Sequence, residues 1–136
     1  MAVVGIGTDI CQISRIEKLL EKNGDSFLKR LLTENEIQNA KTLSPAFVAK
    51  RYAAKEAVAK ALGTGIGDKL SFQDFEIIRE GNERPTVLMQ NETFKKFSFH
   101  LSISDEKEYA VAMVVVMVMV VVMVLFGIGV DVAGER

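Results

Sequence analysis

Apolar and polar positions alternate along this chain with two different periods, and the switches between them mark its elements. Ala2 to Ile10 reads as a short strand broken by glycines. Ser14-Arg15-Ile16-Glu17 has the form of a capping box, opening a helix that turns Ile16, Leu19 and Leu20 inward and ends at Asn23-Gly24. Phe27, Leu28, Leu31 and Leu32 predict another helical turn or two, and Thr33-Glu34-Asn35-Glu36 a second capping box. Ser44-Pro45 starts a long helix with proline at its first position, and Gly63 stops it. Phe47, Arg51, Val58 and Leu62 form one stripe of that helix, and its alanines at 53, 54, 57, 59 and 61 permit close packing against a sheet or another subunit. Ser71 to Ile78 and Thr86 to Met89 predict strands joined through Gly81-Asn82, followed by a short helix over Asn91 to Lys96. Phe97, Phe99, Leu101 and Ile103 alternate with polar residues as in a half-buried strand, Asp105 to Glu108 make a turn, and Tyr109 begins the next strand.

From Ala110 to Phe126 every residue is apolar. The run is short of the roughly 20 residues of a spanning helix, and its valines favour a buried strand, or two in succession. A membrane segment is the lesser alternative.

A length of 136 residues suits one domain, and a net charge of −1 gives no global field that would argue for nucleic acid. Charge is uneven, however. Lys22, Lys29, Arg30, Lys41, Lys50, Arg51 and Lys55 lie between Lys18 and Lys60, whereas residues 68 to 92 lean acidic. A cationic face of this kind suits an acidic protein or a phosphorylated ligand; a solvated helix surface is the competing reading. Cys11 is the only cysteine, which excludes an internal disulfide and fits a reducing, cytoplasmic compartment. His100 is the only histidine, so multi-histidine metal sites are excluded, and it falls at an outward-facing strand position. The N-terminus has no signal-peptide pattern.

The chemistry concentrates in two segments. Arg51, Lys55 and Lys60 accumulate on the long helix before Gly63-Thr64-Gly65-Ile66-Gly67. This is not a Walker A loop, because the glycines follow the helix, whose C-terminus repels anions. A phosphate there needs side-chain cations, loop N–H groups and a metal. Glu56 and Lys60, four apart, also suit a plain surface ion pair. Asp9 ends an apolar run and, combined with Glu56, makes a two-carboxylate site for a hard cation, magnesium first.

Gly5-Ile6-Gly7-Thr8-Asp9-Ile10 with Arg15-Ile16, then Phe47-x-x-Lys50-Arg51-Tyr52-Ala53-Ala54-Lys55-Glu56-Ala57-x-x-Lys60-Ala61-Leu62-Gly63-Thr64-Gly65-Ile66, resembles the holo-[acyl-carrier-protein] synthase family. Leu32-Thr33-x-x-Glu36, Leu70 to Glu76 and Leu101-Ser102-Ile103-Ser104 continue the likeness in the same order, over residues 1 to about 119. The resemblance implies a 4′-phosphopantetheinyl transferase: coenzyme A gives its phosphopantetheine arm to a serine of apo acyl carrier protein, releasing adenosine 3′,5′-bisphosphate, in support of fatty acid biosynthesis. It implies Asp9 and Glu56 as Mg²⁺ ligands, with Glu56, directly or through a metal-bound water, as the base. Arg51, Lys60, Gly63, Thr64 and Gly65 would bind coenzyme A phosphates, Lys55 being a weaker candidate, and Arg15 with its helix would meet the acidic carrier. A compact α+β fold, an antiparallel sheet packed with a long helix, is implied as well, together with a homotrimer with active sites between subunits, and no membrane.

Three departures stand out. Asp105 replaces a histidine that some members carry. Cys11 stands where the larger two-repeat relatives have the glutamate of a D-x-E pair. Residues 120–136 extend past the family's usual end as a tail strand, a disordered appendage or an artefact of expression. There Gly127-Ile128-Gly129-Val130-Asp131-Val132 echoes the N-terminal segment, but no second Lys-Glu helix follows Asp131. A non-catalytic module that binds carrier protein or nucleotide is the alternative of a different class; membrane attachment through the Val/Met run is a third.

Overall fold

The long helix, α3 (Pro45–Ala61), runs through the centre of the molecule and is buried on nearly every side. The computed structural model describes residues 1–123 and 130–133, the segments 121–123 and 130–133 by their backbone alone. Ser44 accepts the Phe47 N–H as the N-cap of α3, Pro45 sits in the first turn, and Gly63 follows the C-cap at φ +78°. Both ends therefore lie where the sequence puts them. The single apolar stripe does not hold: Val48, Ala49, Ala53, Ala54, Ala57, Val58 and Ala59 surround the axis, because other elements pack on several faces of this alanine-rich rod.

One face of α3 rests on a three-stranded antiparallel sheet in the order β1-β5-β4, made of β1 (Ala2–Gln12), β5 (Tyr109–Val118) and β4 (Phe97–Asp105). Central β5 alternates cleanly: Ala110, Ala112, Val114 and Val116 face the helix, and Val111 and Met113 face outward. β1 is one 11-residue strand, irregular only between Val3 and Gly5, so its glycines do not break it. Their role is contact. A Cβ on Gly5 would lie 1.9 Å from the Ala61 carbonyl oxygen, and one on Gly7 would lie 2.0 Å from that of Ala57. Strand backbone thus lies directly on helix backbone.

The first helix corrects the reading of its ends. α1 spans Ile13–Leu31, its N-cap Gln12 makes no side-chain bond, and Ser14 lies inside it. No capping box forms at Ser14. The expected stop at Asn23 is a kink (φ −143°, ψ 46°), after which the helix resumes and Leu31 packs into the core. Gln73 then donates to the carbonyls of Lys29, Arg30 and Leu32, satisfying the helix end. The second capping box forms as expected, Thr33 and Glu36 bonding reciprocally at the start of α2 (Glu34–Asn39).

β2 (Phe75–Ile78) and β3 (Thr86–Met89) form a separate antiparallel pair, β2 shorter than expected because Ser71 caps a 3-10 turn over Phe72–Asp74. Another 3-10 turn, Glu92–Phe94, stands where a short helix was expected. His100 is exposed on β4. The Val/Met run divides into β5 and β6 (Val120–Met123), the latter paired with β7 (Val130–Ala133). Asp131 stands opposite Val122 in that pair; its side chain, and the segments 124–129 and 134–136, lie outside the described residues. Among the described residues no helix is long and apolar enough to cross a membrane.

Candidate active site

Asp9 reaches α3 because Gly5 and Gly7 let β1 lie against the helix's final turns. Asp9 shares the helix-facing side of β1 with both glycines and Cys11, and its side chain is 14% exposed. Lys60, in the last turn of α3, places its Nζ 2.9 Å from Asp9 Oδ1 and 3.1 Å from the Thr8 carbonyl oxygen. That bond to Asp9 raises the Lys60 ammonium above its ordinary pKa. The surface ion pair expected between Glu56 and Lys60 gives way to one that ties helix to strand.

Glu56 sits one turn before Lys60 and is half-buried. Burial raises its carboxyl above the ordinary value of 4.5 and the nearby Asp9 charge raises it further, while Lys60, Arg15 and Arg30 pull it back. Two carboxylates 47 positions apart in sequence thus share one electrostatic neighbourhood. Arg15 belongs to it also. Its guanidinium lies over the Tyr52 ring, 5.8 Å from the centroid, and Tyr52 is one turn before Glu56. Tyr52 is braced by Phe27 and Phe72 at ring separations of 6.2 and 5.9 Å.

The donor set is small and hard. Among the described residues no group of three or more His, Cys, Asp or Glu side chains gathers in a metal-binding cluster. Cys11 does not enlarge the pair: it is buried, and burial raises its thiol pKa, which keeps it protonated. Two repelling carboxylates with no third ligand fit magnesium, which keeps several waters of its own and relieves the repulsion.

Lys55 does not face this neighbourhood. Its side chain is fully buried, and Nζ donates to the carbonyls of Leu31 (2.9 Å), Phe72 (2.7 Å) and Phe75 (3.0 Å) and to Glu36 Oε1 (2.7 Å). Protein acceptors enclose the ammonium completely, so the assignment of Lys55 to coenzyme A phosphate is corrected to a structural role. Burial lowers its pKa, and the Glu36 carboxylate opposes that shift. Glu36 Oε2 also takes the Ile77 N–H, and Glu76 accepts from Thr33 and Asn35, so α1, α2, α3 and β2 meet at one buried polar knot. Lys55→Met is expected to cost about 3–5 kcal/mol by leaving Glu36 buried without its cation. Chemical denaturation measures this; a loss below about 1 kcal/mol would show that water replaces the ammonium.

The glycine turn is differently used from the expectation. Gly63 and Gly65 both have positive φ, +78° and +61°, as the turn requires. The N–H of Gly63 donates to Lys60, and those of Thr64 and Gly65 both donate to Ala59. These three N–H groups close the C-terminus of α3, and the cradle of free donors expected for a phosphate is absent there. What the turn offers is the Thr64 hydroxyl, which lies 2.8 Å from the Gly65 carbonyl oxygen.

Arg51 is 9% exposed and lies on the far side of the helix. At 3.6 residues per turn it is about 140° from Glu56 and about 180° from Lys60. Its guanidinium covers the Phe47 ring at 4.6 Å and borders a cleft of about 670 Å³ that Lys41, Thr42, Asn39 and Arg79 also line. Burial lowers the Arg51 pKa, Glu36 raises it, and the like charge of Arg79 lowers it further. Within one chain, then, Asp9, Glu56, Lys60 and Arg15 come together and Arg51 does not join them.

A family model of the 4′-phosphopantetheinyl transferase superfamily matches residues 5–114. The chain belongs to that superfamily. It is 44% identical to the holo-[acyl-carrier-protein] synthase of Aliivibrio salmonicida over 118 residues, covering 81% of this chain and 94% of that protein. Among solved structures, its fold matches a Bacillus anthracis holo-(acyl-carrier-protein) synthase in complex with CoA (3′,5′-ADP) at a TM-score of 0.74 and 46% identity, over 85% of this chain and 97% of that one. It matches the Helicobacter pylori synthase in complex with coenzyme A at 0.76 and 37%, over 82% and 99%. The α+β architecture, an antiparallel sheet with helices, is shared with these enzymes, and the chain is an enzyme of this transferase superfamily.

In this superfamily member the glycines at 5 and 7 are positioning residues that sequence reasoning passed over. The signal was their alternate spacing: it put both on the same face of the strand as Asp9. Lys55 also carried a signal, since Ala53, Ala54, Ala57, Val58 and Ala59 surround it in sequence and mark a helix buried all round.

Proposed function

We propose that the chain transfers the 4′-phosphopantetheine group of coenzyme A to a serine hydroxyl of apo acyl carrier protein, releasing adenosine 3′,5′-bisphosphate, and does so in the cytoplasm in support of fatty acid biosynthesis. The observation that carries the reading is the convergence of Asp9 and Glu56, with Lys60 and Arg15 beside them. The relatives, holo-[acyl-carrier-protein] synthases with coenzyme A bound in two solved cases, suggest the substrate pair.

Magnesium bound by Asp9 and Glu56 would neutralise the diphosphate and stabilise the departing phosphate. The residues do the rest. Glu56 takes the proton of the serine, directly or through a water. The serine oxygen forms a bond to the phosphorus bearing the pantetheine arm as the bond to the bridging oxygen breaks. Lys60 supplies a cation to the diphosphate, and Arg15, exposed near the start of α1 with Lys18 and Lys22 farther along, offers positive charge to an acidic carrier. Incubating the protein with coenzyme A, Mg²⁺ and apo carrier, and weighing the carrier by mass spectrometry, tests the whole. An unchanged carrier mass leaves a binding module without turnover.

The position of Arg51 supports an assembly. With Arg51 and Lys60 on opposite sides of α3, a site built between two copies would let one coenzyme A molecule meet both cations. The outward face of the β1-β5-β4 sheet supports the same conclusion, since Ile6, Ile10, Val111 and Met113 are 61%, 63%, 42% and 45% exposed there. A homotrimer would bury this face. Met113→Glu is expected to yield monomers in light scattering and to reduce transfer with them. A monomeric parent would remove the shared site from the proposal.

A further inference from the structure

Asp9 holds a cation of its own already. Lys60 Nζ sits on Oδ1 at 2.9 Å and is steadied by the Thr8 carbonyl oxygen at 3.1 Å. Its side chain is 53% exposed at the end of a four-carbon stem, whereas Asp9 is mostly enclosed. With an ammonium on Oδ1, a divalent cation approaching the same carboxylate meets a like charge at close range. The helix backbone beneath is held by the Lys55 knot and by the glycine contacts, so the exposed Lys60 side chain can move without it.

We propose that Lys60 is a tethered placeholder: its ammonium occupies Asp9 until a divalent cation arrives, and is thereby released to the anionic substrate. This rests on the assignment of magnesium to Asp9 and Glu56 made above. The exchange links the two ligands. Metal alone must displace Lys60 into water, at a cost. When a diphosphate is present the displaced ammonium gains a new partner, and metal and coenzyme A each bind more tightly with the other than alone. Vacating Asp9 and engaging phosphate are then one movement of one side chain, with no shift in the fold.

The test is Mn²⁺ affinity, read from the electron paramagnetic resonance signal of the free ion, for the parent and Lys60→Met with and without coenzyme A. Lys60 is exposed, so the competition is modest: without coenzyme A, Lys60→Met is expected to bind Mn²⁺ about three- to tenfold more tightly. Coenzyme A should then raise Mn²⁺ affinity less in Lys60→Met than in the parent. Independently, the ¹⁵N-ammonium resonance of Lys60 should shift when Mg²⁺ is added without substrate. Equal or weaker Mn²⁺ binding by Lys60→Met in the absence of coenzyme A overturns the placeholder while leaving the metal site intact. If Asp9→Asn binds Mn²⁺ as well as the parent, or no form binds it, the magnesium assignment falls and the placeholder falls with it.

Discussion

Glu56→Gln is expected to slow phosphopantetheine transfer by about a hundred- to ten-thousandfold while leaving the protein at least as stable as the parent. The substitution keeps the shape of the side chain and removes its charge, and with it both a metal donor and the proposed base. Its effect on stability has the opposite sign. Burial and the Asp9 charge raise the Glu56 carboxyl pKa in the folded chain above 4.5. A carboxyl raised in this way favours folding below its unfolded pKa, and that contribution is lost as pH rises through the folded value. At neutral pH the ionised pair therefore opposes folding. Glutamine removes the opposition, so the variant's melting temperature should meet or exceed the parent's, with the gap opening above about pH 4.5. Transfer within tenfold of the parent would take proton transfer away from Glu56. A variant markedly less stable than the parent at neutral pH would show that the carboxylate makes favourable bonds in place of a repulsion.

Gly7→Ala is expected to weaken the fold by overpacking. The added Cβ would meet the Ala57 carbonyl oxygen at 2.0 Å and the Ala61 nitrogen at 2.6 Å, all backbone atoms of a buried helix with no rotamer to yield. Strand and helix must separate, at about 3 kcal/mol or more. Gly24→Ala is the matched control. It lies within α1, has nothing within 4 Å of its added Cβ, and should be neutral or gain about 0.4–1 kcal/mol. Urea denaturation of both variants reads the difference, and equal stability would mean that the strand is less closely applied to the helix than the structure places it.

The two outcomes differ in how visible they were in the sequence. α3 was legible at both ends, because Ser44-Pro45 and Gly63 have side-chain and backbone properties that act locally. The alternation along β4 and the Thr33–Glu36 box were legible for the same reason. What was hidden depends on distant partners. Glycine weakens a strand by itself, so Gly5 and Gly7 read as breaks until the helix that presses on them is known. Asn23-Gly24 reads as a stop, yet the contacts of Leu31 with the core carry the helix on past the kink. Lys55 looked like one more phosphate-binding cation beside Arg51 and Lys60, and only the carbonyls of Leu31, Phe72 and Phe75 around it show otherwise. Counting 100° per residue from Arg51 to Lys60 would have divided the cations from sequence alone.

The contact between β1 and α3 bears on how such a site withstands change over generations. Core side chains drift, and each exchange of volume nudges neighbouring elements by fractions of an ångström. Where main chain touches main chain, no side chain sits in between to be exchanged. The distance from Asp9 to the final turns of α3 is therefore set by main-chain atoms that every residue shares, and a new side chain at 5 or 7 would lengthen it at once.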